Sequence, residues 1–84
     1  MSQQWDVRFA PEVLYEKYRI PRGKTANFRA AIAVLIESPK PEGYVAVAEY
    51  MNVFRYSKNG YRIWYEVLTN ERAIRVIYFE PEPS

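Results

Sequence analysis

The dipeptide Asn59-Gly60 constrains the fold of this chain more than any other feature. It stands between residues 53–57 (Val-Phe-Arg-Tyr-Ser) and Tyr61–Leu68, two segments that alternate side chains in the manner of strands. Asn-Gly is the preferred loop of a type I′ hairpin, because both central residues of that turn need positive φ. A two-residue loop also fixes register. It sets Tyr56 opposite Ile63, Arg55 opposite Trp64 and Phe54 opposite Tyr65. A second turn centred on Asn70-Glu71 leads into a last strand ending near Phe79. It sets Val67 opposite Ile74, Glu66 opposite Arg75 and Tyr65 opposite Val76.

Register sorts these strands into two faces. One carries Phe54, Tyr56, Ile63, Tyr65, Val67, Ile74, Val76 and Tyr78, all apolar or aromatic, so other elements must cover it. The preceding sequence supplies them. Pro11 suits a first helical position, and Glu12 and Glu16 suit the helix dipole near it. Val13, Leu14 and Tyr18 continue a helical face to about Arg19, where Pro21-Arg22-Gly23 breaks it. Thr25 reads as the N-cap of a second helix, with Phe28, Ala31, Ile32, Leu35 and Ile36 at helical spacing. Residues 38–43 hold two prolines and a glycine and end it. A short strand over residues 5–9 precedes both helices, and residues 44–49 read either as extended chain or as a turn of helix.

The expected fold is therefore α+β. Two N-terminal helices pack on one face of a small, mainly antiparallel sheet, in a single domain spanning residues 1–84. A domain of this length buries little more than about 60% of its unfolded surface. An apolar fraction of 49%, with 17% aromatic residues, offsets that handicap.

Composition narrows the chemistry. With no cysteine, disulfides and thiolate metal sites are excluded; with no histidine, so are Ser-His triads and most zinc sites. No metal or cofactor is expected. Met1-Ser2-Gln3-Gln4 has no basic n-region, and the apolar run over residues 30–36 is too short to span a bilayer. The expected location is the cytoplasm, away from membranes.

Charge is distributed unevenly around a net of +2. Lys17, Arg19, Arg22, Lys24 and Arg29 follow one another with no acid between Glu16 and Glu37, whereas the chain ends Glu80-Pro81-Glu82-Pro83-Ser84. The basic stripe is either a solvated corner between helices or a surface for an acidic partner. The second face of the sheet carries Val53, Arg55, Ser57, Arg62, Trp64, Glu66, Arg75, Ile77 and Phe79. Arginines beside exposed aromatic rings suit single-stranded RNA, since guanidinium groups grip phosphates and rings stack unpaired bases. The simpler reading makes Glu66 and Arg75 a cross-strand ion pair and lays Arg55 over Trp64. Arg62 faces no acid in this register, so a role in binding is expected of it.

Residues 59–67, Asn-Gly-Tyr-Arg-Ile-Trp-Tyr-Glu-Val, followed by a hairpin into Ile74-Arg75-Val76-Ile77, resemble the signature strand of the RelE/ParE toxin superfamily. The leading Trp5, Val7, Phe9 and Pro11 and the helix ending Glu37-Ser38-Pro39 match that family's layout, so the likeness runs along nearly the whole chain. The resemblance implies a toxin of a type II toxin–antitoxin system, held inactive by a cognate antitoxin. RelE-like members are mRNA interferases that inhibit translation by cutting mRNA in the ribosomal A site without a metal. ParE-like members poison DNA gyrase instead. By position, Arg62 and Arg55 match the family's catalytic, phosphate-facing cations, and Arg55, Lys58, Arg62, Trp64 and Arg75 are the expected RNA contacts. Lys17, Arg19, Arg22 and Lys24 are the expected antitoxin contacts. Two departures stand out: Val53 replaces a basic residue, and the acidic tail replaces a basic C-terminal stretch. Arginine stabilises charge but does not give up its proton near neutrality, which leaves general-base work to Lys58, Glu66 or a tyrosine. A non-nucleolytic gyrase poison, or a binding module of the same fold, is the alternative.

Overall fold

A computed structural model describes residues 4–82; of residues 16–18 only the backbone is described. The chain runs β1 (Asp6–Phe9), α1 (Pro11–Tyr18), a single 3-10 turn (Arg22–Lys24), α2 (Thr25–Glu37), β2 (Val45–Ala46), β3 (Val53–Lys58), β4 (Tyr61–Leu68), a second 3-10 turn (Thr69–Glu71) and β5 (Ala73–Pro81). The five strands form one sheet in the order β1-β5-β4-β3-β2. Among the described strands only the β1–β5 pair is parallel, and the two helices and β2–β4 separate its members in the chain.

The hairpin forms as its turn dictates. Asn59 and Gly60 have φ of 54° and 86°, and β3 meets β4 with Tyr56 on Ile63, Arg55 on Trp64 and Phe54 on Tyr65. Residues 44–49, open in the sequence, contribute the two-residue edge strand β2, which pairs with Arg55 and Phe54. Val67, Glu66 and Tyr65 meet Ile74, Arg75 and Val76 as expected.

The helical layer is dominated by one element. α2 buries Phe28, Ala31, Ile32 and Leu35 against the sheet, while α1 is an eight-residue segment that commits Val13 to the core. Thr25 is the first residue of α2 rather than its cap; Lys24 holds the cap position and makes no side-chain capping bond. Opposite the helices, Tyr61, Ile63, Tyr65, Val67, Ile74 and Val76 complete the core. Tyr65 is fully buried and donates its hydroxyl to the carbonyl of Pro39, tying the α2–β2 connection to the sheet. Burial raises the Tyr65 phenol above the ordinary tyrosine range, with smaller contributions from Tyr44 and Tyr56.

One feature of the sheet departs from simple alternation. The β4–β5 register shifts between Trp64 and Tyr65, so that Tyr65 faces Val76 but Trp64 faces Tyr78. Ile77 is the extra residue of a β-bulge. From there onward every partner differs from the unbulged register: Ile63 meets Phe79, and Arg62 meets Glu80. Phe79, expected on the open face, is therefore in the core, with its ring 4.6 Å from that of Phe28. Tyr78, expected in the core, is 52% exposed on the other side.

Candidate nucleic-acid interface

The face of the sheet away from α2 is built in rows across the strands. Glu66 of β4 lies between Val53 of β3 and Arg75 of β5, and Arg75 in turn lies beside Arg8 of β1. Next toward the hairpin come Arg55, Trp64 and Tyr78, then Ser57, Arg62 and Glu80. Strand parity thus holds Arg55, Arg62 and Trp64 on one surface, Arg62 two residues before Trp64 on β4, and all three side chains are half-buried.

Two kinds of arginine occupy this surface. Arg75 donates to Glu66, the cross-strand pair expected from the register. Arg8 donates from Nη1 to Oε1 of Glu71 at 2.6 Å and lies 3.6 Å from Asp6, and Glu71 accordingly raises the Arg8 pKa. Arg55 and Arg62 have no ion pair among the described residues. Nor does Arg55 lie over Trp64, although the two are cross-strand neighbours. The Trp64 ring leans instead toward Tyr78, with centroids 5.1 Å apart and planes at 57°.

The bulge changes the setting of Arg62. An unbulged register would put Phe79 opposite it, whereas the actual neighbour is Glu80, half-buried on the same face and without an ion pair among the described residues. The acidic tail is thus partly a strand, held at its end by the Glu82 N–H donating to the Gly60 carbonyl at 2.8 Å. Of the acid–base groups considered from sequence, Glu66 is engaged with Arg75. Lys58 pairs with Tyr61, whose ring is buried on the helix side, so Lys58 is separated by parity from Arg55 and Arg62. The titratable side chains that do stand beside Arg62 and Trp64 are Glu80 and Tyr78.

Neither residue was expected in this position. The signal in the sequence is Val76-Ile77-Tyr78-Phe79, four apolar residues in succession where a half-buried strand should alternate. Tyr50 and Val47 of the β2–β3 connection were also missed. They border a depression of about 290 Å³ over Val53, Trp64, Ile77 and Tyr78. Loop residues carry no periodicity that would have found them.

The basic corner lies elsewhere. Arg19, Arg22 and Lys24 are exposed around the α1–α2 connection, and Lys17 lies outside the described side chains. A groove of about 510 Å³ joins Arg19, Ile20 and Pro21 to Tyr61, Tyr78 and Glu80. Among the described residues the β1 side of β5 has no strand partner beyond Val76, so this groove also runs along an unpaired sheet edge beside Glu12 and Val13 of α1. No group of metal-ligating side chains occurs among the described residues, and no described helix is long and apolar enough to cross a membrane.

Comparison with solved structures places this architecture. The isolated RelE toxin of E. coli superimposes with a TM-score of 0.80 at 17% identity, over 95% of this chain and 86% of that one. The chain has the RelE fold. A RelBE toxin–antitoxin complex from Mycobacterium tuberculosis gives 0.80 at 17% identity, over 96% and 94% of the two chains. The archaeal RelE–RelB complex from Pyrococcus horikoshii gives 0.75 at 17% identity, over 94% and 96%. No protein-family model and no curated protein sequence matches the chain. The fold expected from the sequence is thus shared with structures to which this chain is only 17% identical.

Proposed function

We propose that this chain is the toxin of a type II toxin–antitoxin pair and acts on messenger RNA in the ribosome, inhibiting translation in the cytoplasm. The observation that carries this reading is the pair of guanidinium groups, Arg55 and Arg62, on one face beside Trp64 with no carboxylate bound to either. On a RelE fold, such a surface suits a single strand: cations on the phosphates, a ring beneath a base.

The reaction is metal-independent transesterification. A ribose 2′-oxygen attacks the adjacent phosphorus, the bond from phosphorus to the 5′-oxygen breaks, and a 2′,3′-cyclic phosphate forms. Arg62 and Arg55 stabilise the charge that grows on the phosphoryl oxygens, worth about 10²–10³-fold for one good donor. Arginine does not take up the 2′-hydroxyl proton. Glu80, opposite Arg62, is the carboxylate placed to accept it, and water protonates the leaving oxygen. Arg75, committed to Glu66, contributes through the strand pairing rather than to phosphate.

The antitoxin contacts are proposed at Lys17, Arg19, Arg22 and Lys24. An acidic segment that folds on binding would match this corner, and the groove beside it leads to Tyr78 and Glu80. Controlled expression tests the reading. It should arrest translation and leave cut messages, both effects should vanish with Arg62→Ala, and intact messages during full induction would contradict it.

A second reading rests on Val53 and Glu80. A buried valine and a carboxylate stand where the family pattern has cations, which weakens the pull on a phosphate. In this reading the chain is a ParE-like gyrase poison or a binding module without nuclease activity. Inhibited supercoiling without RNA cleavage would support the poison.

A further inference from the structure

We infer that the depression over Trp64 and Tyr78 is a subsite for one unpaired nucleobase of a single-stranded RNA, an inference that rests on the RNA-directed reading above. It is lined by Val53 and Ile77, by the rings of Trp64 and Tyr78, and by Val47 and Tyr50 of the β2–β3 connection. At about 290 Å³ it falls just below the roughly 300–1,000 Å³ of small-molecule clefts, which suits one flat ring system and not a whole nucleotide.

Three observations favour a base. The Trp64 and Tyr78 rings are tilted at 57° and do not stack on each other, and Tyr50, which lines the same depression, is 64% exposed. No acid lines the depression. The charges at its border are Arg55, across the strand from Trp64, Arg62, two residues before it, and Glu80, across the strand from Arg62; the acid two residues after Trp64, Glu66, is bound to Arg75. A flat apolar group with anions on the arginine side is the description of a base in a phosphodiester chain. Val53 takes on a role here. A cation at that position would put charge into the lining, whereas a buried valine keeps it apolar.

The subsite exists because of the bulge. In an unbulged strand Tyr78 would point into the core, and Trp64 would have only Ile77 beside it. With Ile77 as the extra residue, both Ile77 and Tyr78 border the depression.

The test compares a short oligoadenylate strand with the same strand lacking one central base, titrated at low salt. Trp5→Phe makes Trp64 the only tryptophan and its fluorescence the readout. The intact strand should bind about 5- to 150-fold more tightly than the abasic one, the range expected for one base–aromatic stack, and only it should quench Trp64 strongly. Tyr78→Ala and Tyr50→Ala remove exposed rings and leave the core intact. Each should weaken the intact strand and leave the abasic strand unchanged. If both strands bind the unsubstituted protein equally, or Tyr78→Ala weakens both alike, the subsite is wrong while the arginine reading stands. If neither strand binds, both fall. Unchanged RNA binding by Tyr78→Ala with loss of antitoxin binding would reassign the depression to a protein side chain and overturn the inference.

Discussion

The two ends of the open face each carry two arginines and differ in what those arginines touch. Toward β1, Arg75 is bound to Glu66, and Arg8 to Glu71 and Asp6. Toward the hairpin, Arg55 and Arg62 hold no carboxylate among the described residues, and Trp64, Tyr78 and Tyr50 gather beside them. At the first end charge is spent on joining strands, where solvent screens the exposed pairs. At the second no carboxylate among the described residues takes it up. Arginine content alone therefore says little about where a polyanion binds, and the partner of each guanidinium decides.

Several measurements would break or sharpen this contrast. The largest effect concerns the bulge that organises the hairpin end. Phe79→Ala should lower stability by about 3–5 kcal/mol, as for a buried aromatic ring, while Tyr78→Ala should cost under about 1 kcal/mol. Urea denaturation of both variants reads the difference, and the reverse order would restore the unbulged register and remove Glu80 from Arg62. Next, Arg62→Ala should reduce message cleavage in induced cells by about 10²–10³-fold, and Arg75→Ala should reduce it far less. Equal losses would erase the distinction between the two ends.

Tyr65 supplies a control that touches neither end. Its folded-state pKa is raised by burial. Below the unfolded value of about 10 both states are protonated, and the group adds no pH dependence. Above about pH 10 the unfolded chain loses the proton while the folded one keeps it, so stability falls by up to about 1.4 kcal/mol per pH unit. Denaturation at rising alkaline pH should show this added slope in the parent and not in Tyr65→Phe. The smallest effect is expected at the closed end. Glu66→Gln should cost about 0–1 kcal/mol, and by freeing Arg75 it should strengthen binding of single-stranded RNA, measured by titration at low salt.

The sequence reveals this molecule unevenly, for physical reasons. The hairpin register was legible because Asn59-Gly60 admits essentially one turn geometry, and α2 because five apolar residues recur at helical spacing. Arg55, Arg62 and Trp64 could be placed on one face because parity survives as far as Trp64. Parity fails at Ile77, since a bulge is a local insertion against a partner strand and alternation assumes there is none. The run of four apolar residues from Val76 marked the place without saying which residue is extra. Tyr50 and Val47 were illegible because a connection is positioned by what it packs on. Lys58 belongs to the same strand as Arg55 but sits at the position that pairs with buried Tyr61, on the opposite parity.

If the proposal holds, the hairpin-end arginines are open to phosphate and the β1-end arginines are not. Salt dependence of single-stranded RNA binding tests it directly, with Arg62→Ala and Arg75→Ala measured side by side. Losing one phosphate contact should flatten the slope of log affinity against log salt by about 0.7 for Arg62→Ala and leave it unchanged for Arg75→Ala. A flattened slope for Arg75→Ala with none for Arg62→Ala would contradict the account.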